Sequence, residues 1–197
     1  MSTSLSWLLL LYQLPAQPST QRVQVWRRLR SCAAVNLQHS VWLLPDAPAQ
    51  RELLSELCRD IESGAGSARL LPIQLNDPER DEEMKELFRK QSQQAYAELI
   101  QGCRELALRV GDVSAAGPCS ASALAEHEDA LSKLEGRLAK MHAYDFFGGG
   151  DHGQALDVLL ICHRALDTAR ARAPSETHAH GADDAASKSV RRARGPR

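Results

Sequence analysis

The sequence predicts an α+β protein in three parts: a ferredoxin-like βαββαβ domain over residues 1–76, a three-helix antiparallel unit over 77–173, and a disordered basic tail over 174–197. Three observations predict this. Apolar residues change their spacing several times before residue 76, as they do where short strands and helices alternate. After it they keep helical spacing over three long segments. From 174 onward the chain is mainly Ala, His, Ser, Asp and Arg, a composition typical of disorder.

The first domain begins with a strand and a helix. Residues 7–14 form a nearly continuous apolar run that Pro15 ends, which is typical of a strand buried on both faces. Pro18, Ser19 and Thr20 then offer a helix start. The predicted inner face of this helix is a stripe at spacings of three and four: Val23, Trp26, Leu29 and Ala33.

Two strands, a helix and a last strand complete the first domain. Residues 35–38 and 41–44 are β-rich runs on either side of His39 and Ser40, and they predict a hairpin. A helix follows over about 48–63 and ends near Gly64. Its predicted inner residues are Leu53, Leu54, Leu57 and Ile61. Residues 68–74 are the predicted last strand.

The helical unit begins at Asp77 and Pro78, an N-cap followed by proline at the first helical position. We expect a helix of about seven turns, a Gly- and Pro-containing loop over 111–120, and two more helices ending near 141 and 172. The predicted inner residues of the first helix are Met84, Leu87, Phe88, Ala95, Leu99, Cys103, Leu106 and Val110. Those of the second are Leu124, Leu131, Leu134, Leu138 and Met141, and those of the third are Leu156, Leu159, Leu160 and Leu166.

Composition excludes several classes of protein. With 43% hydrophobic and 25% charged residues, the chain is neither collagen-like nor fully disordered, and no apolar run approaches the about 20 residues of a membrane-spanning helix. The five cysteines include no CxxC pair, which fits neither a disulfide framework nor a zinc ribbon. We therefore expect a cytoplasmic protein with no membrane contact.

A basic stripe is the first candidate site. The first helix carries Arg22, Arg27, Arg28 and Arg30, and no acidic residue occurs before Asp46. Guanidinium groups bind phosphates and other oxyanions in bidentate geometry, so these four are the predicted nucleic-acid or oxyanion contacts. The alternative is a solvated helix face paired with the acids of residues 79–86. A second basic patch lies in the tail: Lys188, Arg191, Arg192, Arg194 and Arg197.

The helical half contains potential metal ligands without a metal-binding pattern. Cys103, His127, His142, Cys162 and His163 show neither i, i+4 spacing nor an HExxH motif, and His178 and His180 lie in the tail. There is also no GxSxG elbow, no Cys-His motif and no cluster of carboxylates outside a helix N-terminus. The sequence therefore predicts no metal site, no cofactor, no catalytic residue and no enzyme activity.

The loop over residues 144–151, YDFFGGGD, is unusual. Its glycines resemble an anion-binding turn, but no Lys-Ser or Lys-Thr follows as in a phosphate loop. We expect Phe146 and Phe147 to anchor a helix-to-helix turn in the core while the glycines supply positive φ.

These residues resemble a known family. The stretch WLLLLYQLPAQPSTQRVQVWRRLRSCAAVNLQHSVWLLP, the helix ending at SGAG, the strand ARLLPIQL and the segment LEGRLAKMHAYDFFGGG are similar to the amino-terminal portion of ChrB chromate-resistance regulatory proteins. The resemblance covers roughly residues 5–170 and implies a regulatory or scaffold role. In that family a separate carboxy-terminal chromate-resistance domain usually follows, and the resemblance implies that it is missing here or lies on another chain.

Two weaker resemblances bear on activity. The first domain also resembles the central domain of PaaX-type repressors and the small CRISPR spacer-acquisition nucleases. Those nucleases have a metal-binding Asp at the end of the first strand, where this chain has Gln13. Because a neutral amide lacks the anionic oxygen that Mg²⁺ prefers, nuclease activity is the weakest hypothesis.

The leading hypothesis is a cytoplasmic regulatory or accessory protein of chromate resistance that binds promoter DNA, with chromate as a possible effector of the same arginines. Its other predicted partners are a second copy of the chain and a separate chromate-resistance domain. The alternative is a non-catalytic helical dimerisation protein, whose oligomer mass then depends on Leu99 or Leu134.

Overall fold

The computed structural model describes residues 5–15, 19–117 and 119–173. The elements are β1 (Ser6–Gln13), α1 (Ser19–Ser31), β2 (Val35–Gln38), β3 (Val41–Pro45), α2 (Pro48–Ser63), β4 (Ser67–Gln74), α3 (Pro78–Ala116), α4 (Ala121–Ala143) and α5 (His152–Arg172). The predicted α+β class and the order βαββαβ followed by three helices are confirmed. The predicted tail over 174–197 lies outside the described residues, as do its basic patch and two histidines.

The four strands form an antiparallel sheet in the order β2-β3-β1-β4. β1 lies in the middle, where Leu9 is opposite Leu43 of β3 and Leu71 of β4. The hairpin between β2 and β3 is short, and its register shifts between Asn36 and Gln38. Leu8 of β1 belongs to the core that also contains the inner residues of α1 and α2.

The inner face of α1 differs from the predicted stripe. Val25, Leu29 and Cys32 are buried, whereas Val23 is 44% and Trp26 is 51% exposed. Both sets of residues have helical spacing, so the period alone does not decide between them. The prediction is confirmed for Leu29, which is fully buried, and was wrong for Val23 and Trp26, whose side chains lie at the surface.

Aromatic side chains pack against the beginning of β1. The ring of Trp7 stacks on Phe88 of α3 at 5.7 Å between centroids and contacts Phe147 at the same distance. Its indole Nε1 donates a 2.8 Å hydrogen bond to Asp81 Oδ1, and Asp81 is only 7% exposed. The first turns of α3 therefore belong to the core of the sheet domain.

The last three helices pack as an up-down-up unit. Glu98 of α3 pairs with Arg137 of α4 at 2.9 Å, and Glu128 near the start of α4 pairs with Arg170 near the end of α5. Gly102 of α3 lies next to Leu134 of α4, and Glu135 of α4 contacts His163 of α5, so in both cases the paired residue numbers run in opposite directions. Therefore α4 is antiparallel to both neighbours. The second core contains Tyr96, Leu99, Ile100, Cys103, Leu106, Val110, Leu131, Leu138, Ala155, Val158, Leu159, Cys162, Leu166 and Ala169.

Several predictions for the helices were wrong. The predicted loop over 111–120 is too long, since α3 continues through Ala116. Leu87 of α3 and Leu156 and Leu160 of α5 are exposed by 38%, 52% and 48% instead of lying inside. The inner face of α5 is a different stripe, formed by Ala155, Val158, Leu159, Cys162, Leu166 and Ala169. Among the described residues, none of the helices is long and apolar enough to cross a membrane.

Candidate functional site

A groove of about 990 Å³ lies between α1, α3 and α4. The C-terminal half of α1 forms one wall, the middle of α3 lies at the base, and the C-terminal half of α4 forms the other wall. This volume is at the upper end of the range typical of ligand clefts. The groove is therefore large enough for an extended ligand.

The charged side chains of the groove are almost all positive. Six cations line it: Arg27, Arg30, Lys90, Lys133, Arg137 and Lys140. Glu98 is the one acid among the described residues of the lining, and its carboxylate is paired with Arg137 at 2.9 Å. Low-dielectric walls of one charge sign concentrate the electrostatic potential in a cleft. The groove thus carries a local excess of positive charge on a chain whose net charge is −1.

Apolar side chains also line the groove, between the cations. They come from all three helices and the residues that follow them: Trp26, Ala33, Phe88, Ala95, Met141 and Tyr144. On the wall formed by α4, a Cβ added to Gly136 would meet nothing within 4 Å, so the surface is open there. A ligand that fits this groove therefore has both an anionic part for the cations and an apolar or planar part for the surface between them.

Trp26 lies at the edge of the groove with half of its surface exposed. The guanidinium carbon of Arg30 is 6.0 Å from its ring centroid, which is cation–π distance. The other two tryptophans, Trp7 and Trp42, are 0% and 3% exposed. Since an indole is large and apolar, an exposed one beside clustered cations is available for stacking on a planar ligand.

Two hydrogen bonds join α1 to α3 at the base of the groove. Arg30 Nη1 donates to Gln91 Oε1 at 3.3 Å, and Gln91 Nε2 donates to the carbonyl oxygen of Ala33 at 3.0 Å. Ala33 follows α1 with a φ of 56°, in the left-handed region. This turn ends the helix and brings its last residues against α3.

The four arginines predicted from the sequence lie in different surroundings. Arg27 and Arg30 line the groove. Arg28 faces α2, where it pairs with Asp60 and with Glu56, and Arg22 Nη2 donates a 3.3 Å hydrogen bond to the carbonyl oxygen of Pro15. The structure therefore brings two of the four together at one site.

The alternative pairing predicted for the basic stripe, with the acids of residues 79–86, was wrong. Glu82, Glu83 and Glu86 pair along α3 itself, with Lys85, Arg80 and Arg89. Arg89 and Lys85 hold the pKa of Glu82 below its usual range through hydrogen bonds. Spacings of three residues make such pairs local, so these acids are neutralised within their own helix.

Sequence reasoning missed the contribution of α4. Lys133, Arg137 and Lys140 occur at positions i, i+4 and i+7 and so share a helix face. That spacing was visible in the sequence, but only the antiparallel packing of α4 on α3 places the row opposite α1. The row spans roughly 10 Å along the helix axis at 1.5 Å per residue.

The loop after α4 supports one end of the groove. The carboxylate of Asp145 accepts hydrogen bonds from Ser92 Oγ at 2.8 Å, from the Gly149 amide at 3.0 Å and from the Gly150 amide at 3.2 Å. Tyr144, which lines the groove, immediately precedes this carboxylate.

The predicted role of the loop is confirmed in part. Phe146 and Phe147 pack on the first core, but only Gly148 has a positive φ, of 66°. At Gly149 and Gly150 the absence of a side chain instead lets the loop backbone pack directly against α3. An added Cβ would come within 2.4 Å of Arg89 Cα and 2.0 Å of Tyr96 Cδ2, respectively.

The remaining candidate ligands lie apart from the groove. Cys103 and Cys162 face each other between α3 and α5, and burial together with the neighbouring thiol raises the pKa of Cys103 to about 11. His163 contacts Glu135 at 2.7 Å, and His142 stacks on His152 at 4.1 Å between ring centroids. Within the described part of the chain, no group of three or more His, Cys, Asp or Glu residues is placed to hold a metal ion.

Comparison with known proteins shows the family. The model of the family described as "Protein ChrB, N-terminal" matches residues 22–180, which include every residue that lines the groove. The chain belongs to the ChrB N-terminal family. No solved structure matches the chain.

One curated relative of this ChrB-type chain is Protein ChrB of Cupriavidus metallidurans (strain ATCC 43123 / DSM 2839 / NBRC 102507 / CH34). It is 34% identical over 97 residues, which are 49% of this chain and 29% of the relative. The match therefore spans less than a third of the relative's own length.

Proposed function

We propose that this ChrB-type chain is a cytoplasmic regulatory protein of chromate resistance that binds DNA through the groove between α1, α3 and α4. The observation that carries the proposal is the charge of the lining, six cations against one acid. Phosphate contacts from lysine and arginine supply most of the sequence-independent affinity of proteins for DNA. In this proposal the protein acts by binding and catalyses no reaction.

The free cations of the groove support this role. Arg27, Lys90 and Lys140 have no acidic partner among the described residues, so their charges are available to a ligand. Arg28, by contrast, is held by Asp60 and Glu56 of α2. We therefore assign phosphate contacts to Arg27 and Arg30 rather than to all four arginines of the first helix.

The test is binding of labelled promoter DNA measured by fluorescence anisotropy over a range of salt concentrations. We expect the double variant Arg27→Ala, Lys140→Ala to bind more weakly and to lower the slope of log K against log salt by about 0.9 for each lost phosphate contact. Arg80→Ala is the matched control, because Arg80 is an exposed cation paired with Glu83 outside the groove. An unchanged slope in the double variant excludes the groove as the DNA site.

Chromate is proposed as an effector of the same groove. Arg27 and Arg30 lie on one wall, and paired guanidinium groups suit a tetrahedral dianion. We expect chromate to weaken DNA binding more than sodium chloride does at the same ionic strength. Equal effects of the two salts would show that only ionic strength changes.

A second copy of the chain is the other partner that the surface favours. Leu156, Leu160 and Ile161 of α5 are exposed by 52%, 48% and 53%. Leu99, one of the residues predicted to control dimerisation, is fully buried in the second core, so we place the proposed contact on α5 instead. We expect Leu160→Glu to lower the mass in sedimentation equilibrium if α5 pairs two copies, whereas an unchanged mass excludes this face.

A separate chain carrying the chromate-resistance domain remains a proposed partner.

A further inference from the structure

We propose that the groove binds an unpaired nucleic-acid strand, with phosphates along the cations of α4 and α1 and a base stacked on Trp26. This inference rests on the proposed function and makes it more specific, because it names the form of nucleic acid that the groove accepts. Three features of the site carry it: the shape of the groove, the position of Trp26 and the row of cations on α4.

The shape of the groove favours a single strand over a duplex. Apolar side chains such as Ala95, Met141 and Tyr144 lie among the cations of its lining. A duplex keeps its bases paired inside and presents phosphates outward, so it contacts the cations but leaves the apolar surface of the groove uncovered. An unpaired strand exposes planar bases and phosphates together, which matches both parts of the lining.

Trp26 provides the stacking surface. Proteins that bind single strands combine a positive groove with aromatic side chains on which bases stack. Trp26 is 51% exposed at the edge of the groove, and Arg30 already lies 6.0 Å from its ring centroid. A base inserted beside this indole gains contact with an aromatic face and with a guanidinium group.

The cation row on α4 favours a strand over a single free nucleotide. Lys133, Arg137 and Lys140 are spread over roughly 10 Å of helix axis, whereas one phosphate contacts one or two neighbouring cations. Lys140 has no acidic partner among the described residues, and the ion pairs of Lys133 with Asp129 and of Arg137 with Glu98 are exposed and therefore weak. Arg27 of α1 and Lys90 of α3 extend the positive surface beyond α4. Several successive phosphates are needed to use all of these charges.

The experiment compares one labelled 12-nucleotide oligomer as a single strand and as a duplex with its complement. We expect wild-type protein to bind the single strand more tightly. Trp26→Ala should weaken binding of the single strand roughly 5- to 150-fold and leave duplex binding unchanged. Trp26→Phe should restore part of the affinity, and Leu108→Ala, which removes an exposed apolar side chain of α3 outside the groove, should change neither.

Tryptophan fluorescence of the wild-type protein tests directly whether a ligand covers Trp26. If Trp26 had only a structural role, adding the single strand would not change the quenching of its fluorescence. Because Trp7 and Trp42 are buried, acrylamide quenching in the wild type reports mainly on Trp26. Saturation with the single strand should lower the quenching constant, while the duplex and inorganic polyphosphate, a polyanion without bases, should not.

Three results would overturn the inference. The first is equal affinity of the wild type for the single strand and the duplex. The second is an equal loss of affinity for both forms in Trp26→Ala. The third is that polyphosphate of the same charge displaces the bound single strand while the acrylamide quenching constant stays the same, because Trp26 was then never covered by a base. If duplex binding still depends on Arg27 and Lys140 in those cases, the proposed function stands without this inference. If neither form of nucleic acid binds, the proposed function fails as well.

Discussion

Removing the carboxylate of Asp145 should destabilise the whole chain, because this one side chain holds the loop between α4 and α5. It accepts three hydrogen bonds, from Ser92 Oγ at 2.8 Å and from the amides of Gly149 and Gly150 at 3.0 and 3.2 Å. The site is partly buried, so we take about 1 kcal/mol for each bond and expect Asp145→Ala to lose about 3 kcal/mol of unfolding free energy. For a chain of this size that corresponds to a fall in Tm of roughly 6–12 °C.

Urea unfolding followed by both far-UV circular dichroism and tryptophan fluorescence measures this loss. Fluorescence is informative because the ring of Trp7 lies 5.7 Å from Phe147 of the same loop. Ser92→Ala, which removes one donor, should lose about 1 kcal/mol. Asp157→Ala on the exposed surface of α5 is the matched control and should stay within about 0.5 kcal/mol of the wild type. If Asp145→Ala matches Asp157→Ala, or costs no more than Ser92→Ala, the reasoning about this carboxylate is refuted.

Two further predictions concern packing and pH. Gly150→Ala should lose about 1–3 kcal/mol of stability in urea unfolding, because its Cβ would lie 2.0 Å from Tyr96 Cδ2. Gly111→Ala, at an open position inside α3, should instead gain about 0.5–1 kcal/mol, and the reverse order would contradict this account. Because the pKa of Cys103 is raised to about 11, the unfolded chain loses the thiol proton first, and stability should fall as the pH rises from about 8.5 toward 11. In Cys103→Val the unfolding free energy, measured by urea titration at each pH, should fall less steeply over this range. Equal pH dependence in the variant and the wild type would exclude this thiol as the cause.

The order of elements was predictable because each boundary carries a local signal. Pro15 follows β1, Pro48 is the first residue of α2, and Asp77 caps α3 by accepting a hydrogen bond from the Glu79 amide. Strands and helices also differ in apolar period, which the sequence shows directly. These signals act over a few residues, so they remain readable without tertiary information.

The faces of the helices were less predictable, because the same period fits more than one stripe. In α1, Val23 and Trp26 fit the helical spacing as well as Val25 and Leu29 do. The second pair is buried because those residues belong to the core that the sheet and α2 share, and such contacts are not visible from local spacing. In α5, leucines at 156 and 160 are exposed, while Ala155, Leu159 and Leu166 lie on the inner face.

Only half of the candidate site was predictable for a related reason. Arg27 and Arg30 are close in sequence, and the absence of acids before Asp46 made their positive region visible. The cations of α4 lie more than 100 residues further along the chain, among acids such as Glu135. They reach the groove because apolar residues such as Leu131 and Leu138 pack α4 into the same core as Leu99 of α3, a long-range contact that one sequence does not specify.

The position of α3 explains why the groove exists at all. Phe88 near its start belongs to the core of the sheet domain, whereas Leu99 and the following inner residues belong to the core of the helical unit. One uninterrupted helix, Pro78–Ala116, therefore passes from the first core to the second, and its middle forms the base of the groove. The wall carrying Arg27 is fixed to the first core, and the wall carrying Lys140 is fixed to the second. Because a continuous helix bends little without a proline or an inserted group, the two cationic walls are held at a set separation before any ligand binds. Such preorganisation lowers the free-energy cost of binding a polyanion, since the packing of the two cores already holds the like-charged walls near each other before the ligand arrives.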